Sequence, residues 1–291
     1  MTRARAGWRF VHFAVRHIAP GKPWAADTGA EECCLVLLAG QCRIAVDGRV
    51  ETLGPRKSVF AGYPHAIYLP PRTTFRIEAD VATELADGRA PAFAKASAFA
   101  KASAFAKATA DKTADKTPGK PRGPKRGPIV IRPEDCGFEI RGGGNATRQI
   151  VDIIRPDFPA DRLLVCEVYT PAGNWSSYPP HKHDVDRPPG EVKLEEIYYY
   201  RFEHSDAFGF QRLYDRRTDR TVTVGHGDVV LVRSGYHPFV TAHGYNAYYL
   251  NVLAGTRRSM AASDDPRYAA LRSWPAPDAR VPLVAPPRGQ H

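Results

Sequence analysis

Residues 178–202 read YPPHKHDVDRPPGEVKLEEIYYYRF. His181 and His183 stand two apart, a charged proline-rich loop follows, and Glu195 and Glu196 open a run of aromatics. On a strand, side chains alternate faces, so His181 and His183 share one face and Lys182 takes the other. By the same alternation Glu196 lies with Tyr198 and Tyr200, and Glu195 with Ile197 and Tyr199. Two imidazoles so spaced hold one divalent ion at roughly 2.0–2.2 Å, and a carboxylate from a neighbouring strand completes a facial set. Glu196 is the better carboxylate. His237, in GDVVLVRSGYHPF (227–239), follows another strand and turn and is well placed as a fourth ligand. The stretch therefore reads as a metal site on a β-barrel. The plainer alternative is a set of histidines hydrogen-bonded in a polar barrel mouth. Imidazole with one carboxylate suits several transition metals; zinc or manganese is expected. His12, His17, His65, His204, His226, His243 and His291 lack comparable spacing and are read as surface or packing residues.

Working outward, CCLVLLAGQCRIAVDGRVETLG (33–54) reads as an apolar strand, an Asp47–Gly48 turn and a return strand. Residues 58–79 continue in the same manner, and 209–255 again alternate strand and turn. With 26 Pro and 24 Gly, short strands joined by turns are favoured over long helices. The order strand, turn, strand, glycine, apolar strand and Pro/His/Tyr corner occurs in both halves, which points to a duplicated barrel. The expected fold is all-β: two tandem jelly-roll barrels with few short helices. An N-terminal, metal-free barrel takes 1–89 and 128–160. The metal-binding barrel takes 161–256, and 257–291 is a tail with one short helix near 265–273.

Between the two parts of the first barrel, 90–127 holds AFAKAS/AFAKAT three times and TADK twice. Its period of six fits neither a helix nor a heptad, and its Pro/Gly/Lys/Arg-rich remainder reads as a solvated, disordered linker. It carries +7 of the chain's net +10, so the basicity belongs to this insertion and not to a folded face. A nucleic-acid or membrane arm anchored by Phe93, Phe99 and Phe105 is the less favoured reading; neither partner is expected. Five cysteines without a CxxC pair or regular spacing favour a reducing cytoplasm. The N-terminus lacks an apolar signal region, and no run approaches the roughly 20 residues of a spanning helix.

HxH with a later glutamate, then a Gly-Asp strand ending in Gly-x-His, resembles the two metal motifs of the cupin superfamily. Arg233 stands where cupins usually have proline, and the gap from His183 to Glu196 is longer than usual. Within that superfamily, YTPAGNWSSYPPHKHD (169–184), LEEIYYYRF (194–202), GFQRLY (209–214), GDVVLVRSGYHP (227–238) and YYLNVLAG (248–255) resemble the 5-deoxy-glucuronate isomerase family of inositol catabolism. CLVLLAG (34–40), LGPRKSVF (53–60) and IRPEDCGFEIRGGGNATRQI (131–150) fit the same family. The resemblance implies a bicupin fold and conversion of 5-deoxy-D-glucuronate to 2-deoxy-5-keto-D-gluconate. It also implies His181, His183, Glu196 and His237 as ligands. The repeat insertion departs from the family, where the first barrel continues with another strand.

An aldose–ketose isomerisation moves a proton between adjacent carbons, so it needs a base beside the metal. Glu195, Glu191, a tyrosine such as Tyr198, and metal-held hydroxide are the candidates. Tyr198, Tyr200 and Gln211 are candidate pocket liners, with packing as the alternative. The substrate carboxylate calls for an arginine, with Arg148, Arg201, Arg212 and Arg233 in view. The partner is a small sugar acid, and a homodimer is possible for such barrels. Alternatives are another uronate isomerase, an iron dioxygenase or a sugar-binding module without chemistry.

Overall fold

The computed structural model describes residues 1–93, 127–272 and 276–287. Residues 94–126, which hold the repeats beyond Phe93 and include Phe99 and Phe105, lie outside the described residues. The described residues are almost wholly antiparallel β-structure with one four-residue α-helix, Arg3–Ala6, as the composition predicts. Among the described residues no helix is long and apolar enough to cross a membrane.

The first barrel comprises β1 (His12–Ile18), β2 (Trp24–Asp27), β3 (Glu31–Val46), β4 (Arg49–Arg56), β5 (Ala66–Leu69), β6 (Thr74–Glu78), β7 (Thr83–Pro91) and β8 (Ile129–Ile131). Its inner sheet runs β1-β7-β3-β5-β8, while β2, β6, the far half of β3 and β4 form the outer sheet. Strand β8 pairs with β5 through Ala66↔Ile131 to Tyr68↔Ile129. The chain therefore returns to the same sheet after the insertion, and the last strand of the first barrel is in place.

The second barrel begins before the expected residue 161, because β9 (Gly137–Arg141) and β10 (Arg148–Ile154) pair into its sheet and only β8 of 128–160 stays with the first. It then takes β11 (Leu164–Thr170), β12 (Trp175–Ser176), β13 (His181–Lys182) and β14 (Leu194–Phe202). It continues with β15 (Gly209–Tyr214), β16 (Asp219–Val224), β17 (Val229–Val232), β18 (Phe239–Thr241), β19 (Ala247–Gly255) and β20 (Ser263–Asp264). A six-stranded sheet, β17-β14-β19-β11-β10-β9, faces a four-stranded one, β12-β18-β15-β16. The residues between them, including Tyr198, Tyr200, Phe239 and Tyr249, form this barrel's core.

The largest core lies between the barrels. Phe13, Val36, Tyr68 and Ala86 from the first sheet pack against Val165, Ile197, Tyr199 and Val252 from the second. Strands buried on both faces read as continuous apolar runs, which is why CCLVLL and AYYLNVL lack alternation. Arg56 crosses this interface and pairs with Glu167 at 2.8 Å, both fully buried. Residues beyond 256 return to the second barrel, where β20 pairs with β13. The short helix near 265–273 is a single 3-10 turn, Ala269–Leu271.

Candidate metal centre

Strand β13 and the turn after it present His181 and His183 to the end of the second barrel, and β14 supplies Glu196. His237 follows the turn at Gly235, whose φ is +79° and whose Cβ position lies 2.5 Å from the Tyr214 carbonyl, so a side chain there would collide. The nitrogens of His181, His183 and His237 gather within 4.8 Å of one another. Oε2 of Glu196 lies 2.8 Å from His183 Nε2 and 3.3 Å from His237 Nε2.

The hydrogen bonds decide the tautomers. Nδ1 of His183 faces the Leu194 carbonyl at 3.2 Å, and Nδ1 of His237 faces the Gly235 carbonyl at 2.9 Å. A carbonyl only accepts, so both Nδ1 atoms carry protons and both Nε2 atoms turn inward, that of His183 on to the Glu196 carboxylate. His237 Nε2 is buried without a hydrogen-bond partner among the described residues. Two such nitrogens beside one carboxylate oxygen call for positive charge, from a proton or from a cation. Burial holds His181 and His237 down to about 3, so both are neutral donors at neutral pH. Burial also pushes His183 down, but the Glu196 carboxylate outweighs it and raises its pKa. Three imidazoles and one carboxylate converging on one point fit a divalent transition metal, which would take the place of the proton between His183 and Glu196.

Above the cluster opens a cavity of about 620 Å³, a size that accommodates a small ligand. His181, His183, Glu196, Arg148, Arg141, Glu139, Asp264 and Arg272 line it with apolar Leu194, Leu253 and Met260. Arg141 pairs with Glu139, and Arg272 with Asp264. Arg148 is 4% exposed and among the described residues donates only to the carbonyls of Ala146, at 3.1 Å, and Tyr178, at 2.6 Å. Burial foremost, with Arg141 and Arg272 nearby, lowers its pKa to about 10.

The structure brings the four expected ligands and Arg148 together; it separates the other site candidates from them. Glu195 faces the first barrel and accepts from the amides of Arg9, Phe10 and Val11 at 2.7, 2.7 and 2.9 Å, so it is not placed to act as a base. Glu191 is bound by Lys182 and by the amides of Asp184 and Val185. Burial raises its pKa, but Lys182, Ser263 and those amides hold it down to about 2. Tyr198 lies inside the barrel, hydrogen-bonded to Ser177 at 2.8 Å, and burial keeps its hydroxyl protonated. Tyr200 and Gln211 bond each other at 2.9 Å beneath His237, whose carbonyl Gln211 also approaches at 3.4 Å. They support the site and do not line it. Arg201 pairs with Glu84 on the first barrel, Arg212 with Asp219 on an exposed edge, and Arg233 is exposed.

Sequence reasoning missed Glu139, Arg141, Asp264 and Arg272. The alternation of GFEIR (137–141) places Glu139 and Arg141 on one face, a signal that was available. No local pattern announces that Asp264 lies opposite His181 in a two-residue ladder.

The KduI/IolB family model matches residues 1–113 and 96–271. The chain belongs to the KduI/IolB family. Among KduI/IolB relatives, the 5-deoxy-glucuronate isomerase of Geobacillus kaustophilus is 40% identical over 274 residues, covering 91% of this chain and 87% of its own. The protein of the same name from Bacillus subtilis strain 168 is 35% identical, covering 92% and 90%. A crystal structure of an IolB-like protein from Salmonella typhimurium superposes with a TM-score of 0.80 at 33% identity, over 93% of both chains. Oxalate decarboxylase of Lactobacillus farciminis, at TM-score 0.60 and 14% identity over 91% of this chain and 82% of its own, shares the fold alone.

Proposed function

We propose that this KduI/IolB protein is a metal-dependent 5-deoxy-glucuronate isomerase, acting on a free sugar acid and forming 2-deoxy-5-keto-D-gluconate. The observation that carries the reading is one cavity that exposes His181, His183 and Glu196 of a three-histidine, one-glutamate cluster, with an arginine lacking a carboxylate partner among the described residues in its lining. His181, His183, Glu196 and His237 would hold the ion, with zinc or manganese expected. A divalent ion held there supplies Lewis-acid polarisation of a carbonyl and a fixed place for two substrate oxygens.

The chain's own groups do the rest. Arg148 receives the carboxylate, because it has no carboxylate partner of its own among the described residues. Asp264, which Arg272 holds in place, carries the proton in this reading: it lines the cavity opposite His181, where Glu195 and Glu191 do not. It takes the proton from the hydroxyl-bearing carbon beside the aldehyde and returns it to the former aldehyde carbon. The hydroxyl proton passes to the aldehyde oxygen, so the product is an isomer and no oxidant or reductant enters. Leu194, Leu253 and Met260 limit water around the enediol.

The test is turnover of 5-deoxy-glucuronate by purified protein before and after chelation, with zinc or manganese restored. Activity that disappears and returns with metal supports the reading. Metal binding without product removes the substrate assignment and leaves the metal centre.

A further inference from the structure

Behind the histidines, on the opposite face of β13, lies a second set of charges. Lys182 Nζ reaches Asp184 Oδ1 at 2.6 Å and both oxygens of Glu191 at 2.8 and 3.1 Å. Burial pushes the Lys182 pKa down, but these two carboxylates hold it above its ordinary value. Glu191 also accepts from the amides of Asp184 at 2.9 Å and Val185 at 3.0 Å, which fastens the proline-rich loop to its own start. The other oxygen of Asp184 leaves this group and accepts from the amide of Gly235 at 2.9 Å. The carbonyl of that same glycine accepts from Nδ1 of His237 at 2.9 Å.

These contacts form one line: Lys182, Asp184, Gly235, His237. We propose that Asp184 is a positioning residue of the metal centre, holding Gly235 so that its carbonyl fixes the ring plane and tautomer of His237, with Lys182 as its counter-charge. Two segments distant in sequence, 182–184 and 235–237, meet here, and the positive φ of Gly235 with the Tyr214 carbonyl against its Cβ position makes glycine the residue that lets them meet. Groups that orient a ligating histidine through its second nitrogen typically affect metal affinity by 10–100-fold. The inference rests on the proposed function only in taking the cluster to bind a divalent ion.

The experiment is zinc affinity by chelator competition, with the visible spectrum of the cobalt-substituted protein, for wild type and the variants Asp184→Ala, Asp184→Asn, Lys182→Met and His237→Ala. Asp184→Ala is expected to bind zinc about 10–100-fold more weakly and to shift the cobalt spectrum. Asp184→Asn keeps an acceptor for the Gly235 amide and should recover to within about fivefold of wild type, with the wild-type spectrum. Lys182→Met falls between them. Should Asp184→Ala fail to fold, the contrast of Asp184→Asn and Lys182→Met with His237→Ala carries the test. Asp184→Ala binding as tightly as wild type, with an unchanged spectrum, overturns the positioning role and leaves the metal centre standing. Wild type that binds neither ion overturns both. Affinity unchanged in His237→Ala breaks the line at its last member.

Discussion

At the scale of single residues, the proposed reading divides the substrate between Arg148 and Asp264. Arg148 is buried with two carbonyl acceptors and no carboxylate, so an incoming anion is the partner it lacks. Hydrogen bonds to charged groups contribute about 1.5–3 kcal/mol, so Arg148→Ala should raise KM roughly 10- to 100-fold with little change in kcat. Steady-state kinetics on the sugar acid check this, and an unchanged KM would remove Arg148 from binding. Asp264→Asn should lower kcat by about 10²–10⁴-fold and stop deuterium exchange between substrate and solvent, while metal content stays constant. Glu139→Gln is the control: if it abolishes exchange and Asp264→Asn does not, the proton carrier is Glu139. The four candidate ligands were legible because HxH, the alternation along LEEIYYY and the Gly-x-His end of 227–239 are each local patterns. The misplaced candidates share a cause. Alternation already set Glu195 apart from Glu196, but only the tertiary fold shows the three amides that occupy it.

At the scale of elements, β14 illustrates how one strand serves two cores. Glu196, Tyr198, Tyr200 and Phe202 enter the second barrel; Ile197, Tyr199 and Arg201 face the first. The segment after β19 was unreadable for a different reason. Its contacts are long-range: Asp265 accepts from Tyr214 at 2.7 Å, Asp278 from Asn174 at 3.1 Å, and Val284 exchanges two hydrogen bonds with Gln149. A Pro/Arg/Ala-rich composition carries no trace of such partners. Arg267 foremost holds the Asp265 pKa at about 2, and Arg280 does the same for Asp278. Both lie below the ordinary 3.8, so the unfolded segment binds more protons in between. The stability these pairs contribute is complete above about pH 4 and is lost as pH falls towards about 2. Hydrogen-exchange protection of the Asp278 and Val284 amides should fall in that window, ahead of amides in β11 and β19. Simultaneous loss throughout the second barrel would show that this segment does not loosen on its own.

At the scale of the whole molecule, two large sheets back to back make the barrels one body, with Arg56 and Glu167 buried between them. That arrangement also determines what the repeat insertion can disturb. Strand β7 ends with Pro91 opposite Glu31, and β8 begins with Ile129 opposite Tyr68, itself paired with Cys34. Both ends therefore lie at the same margin of the inner sheet, with β3 and β5 between them. Three strand spacings give about 14 Å across, and a three-residue offset adds about 10 Å along the strands, a span near 17 Å. Six extended residues reach that far, since each covers about 3.3 Å. Loop closure grows only slowly with length, about 0.6 kcal/mol per doubling, so the native connection carries a small penalty over a short one. Replacing residues 94–126 with about eight Gly/Ser residues should thus leave kcat/KM and zinc affinity unchanged and raise the melting temperature by no more than a few degrees. It should also remove most of the chain's positive charge, seen as weaker binding to a cation exchanger. A shortened protein that loses activity while keeping its metal would instead assign the repeats a part in substrate access.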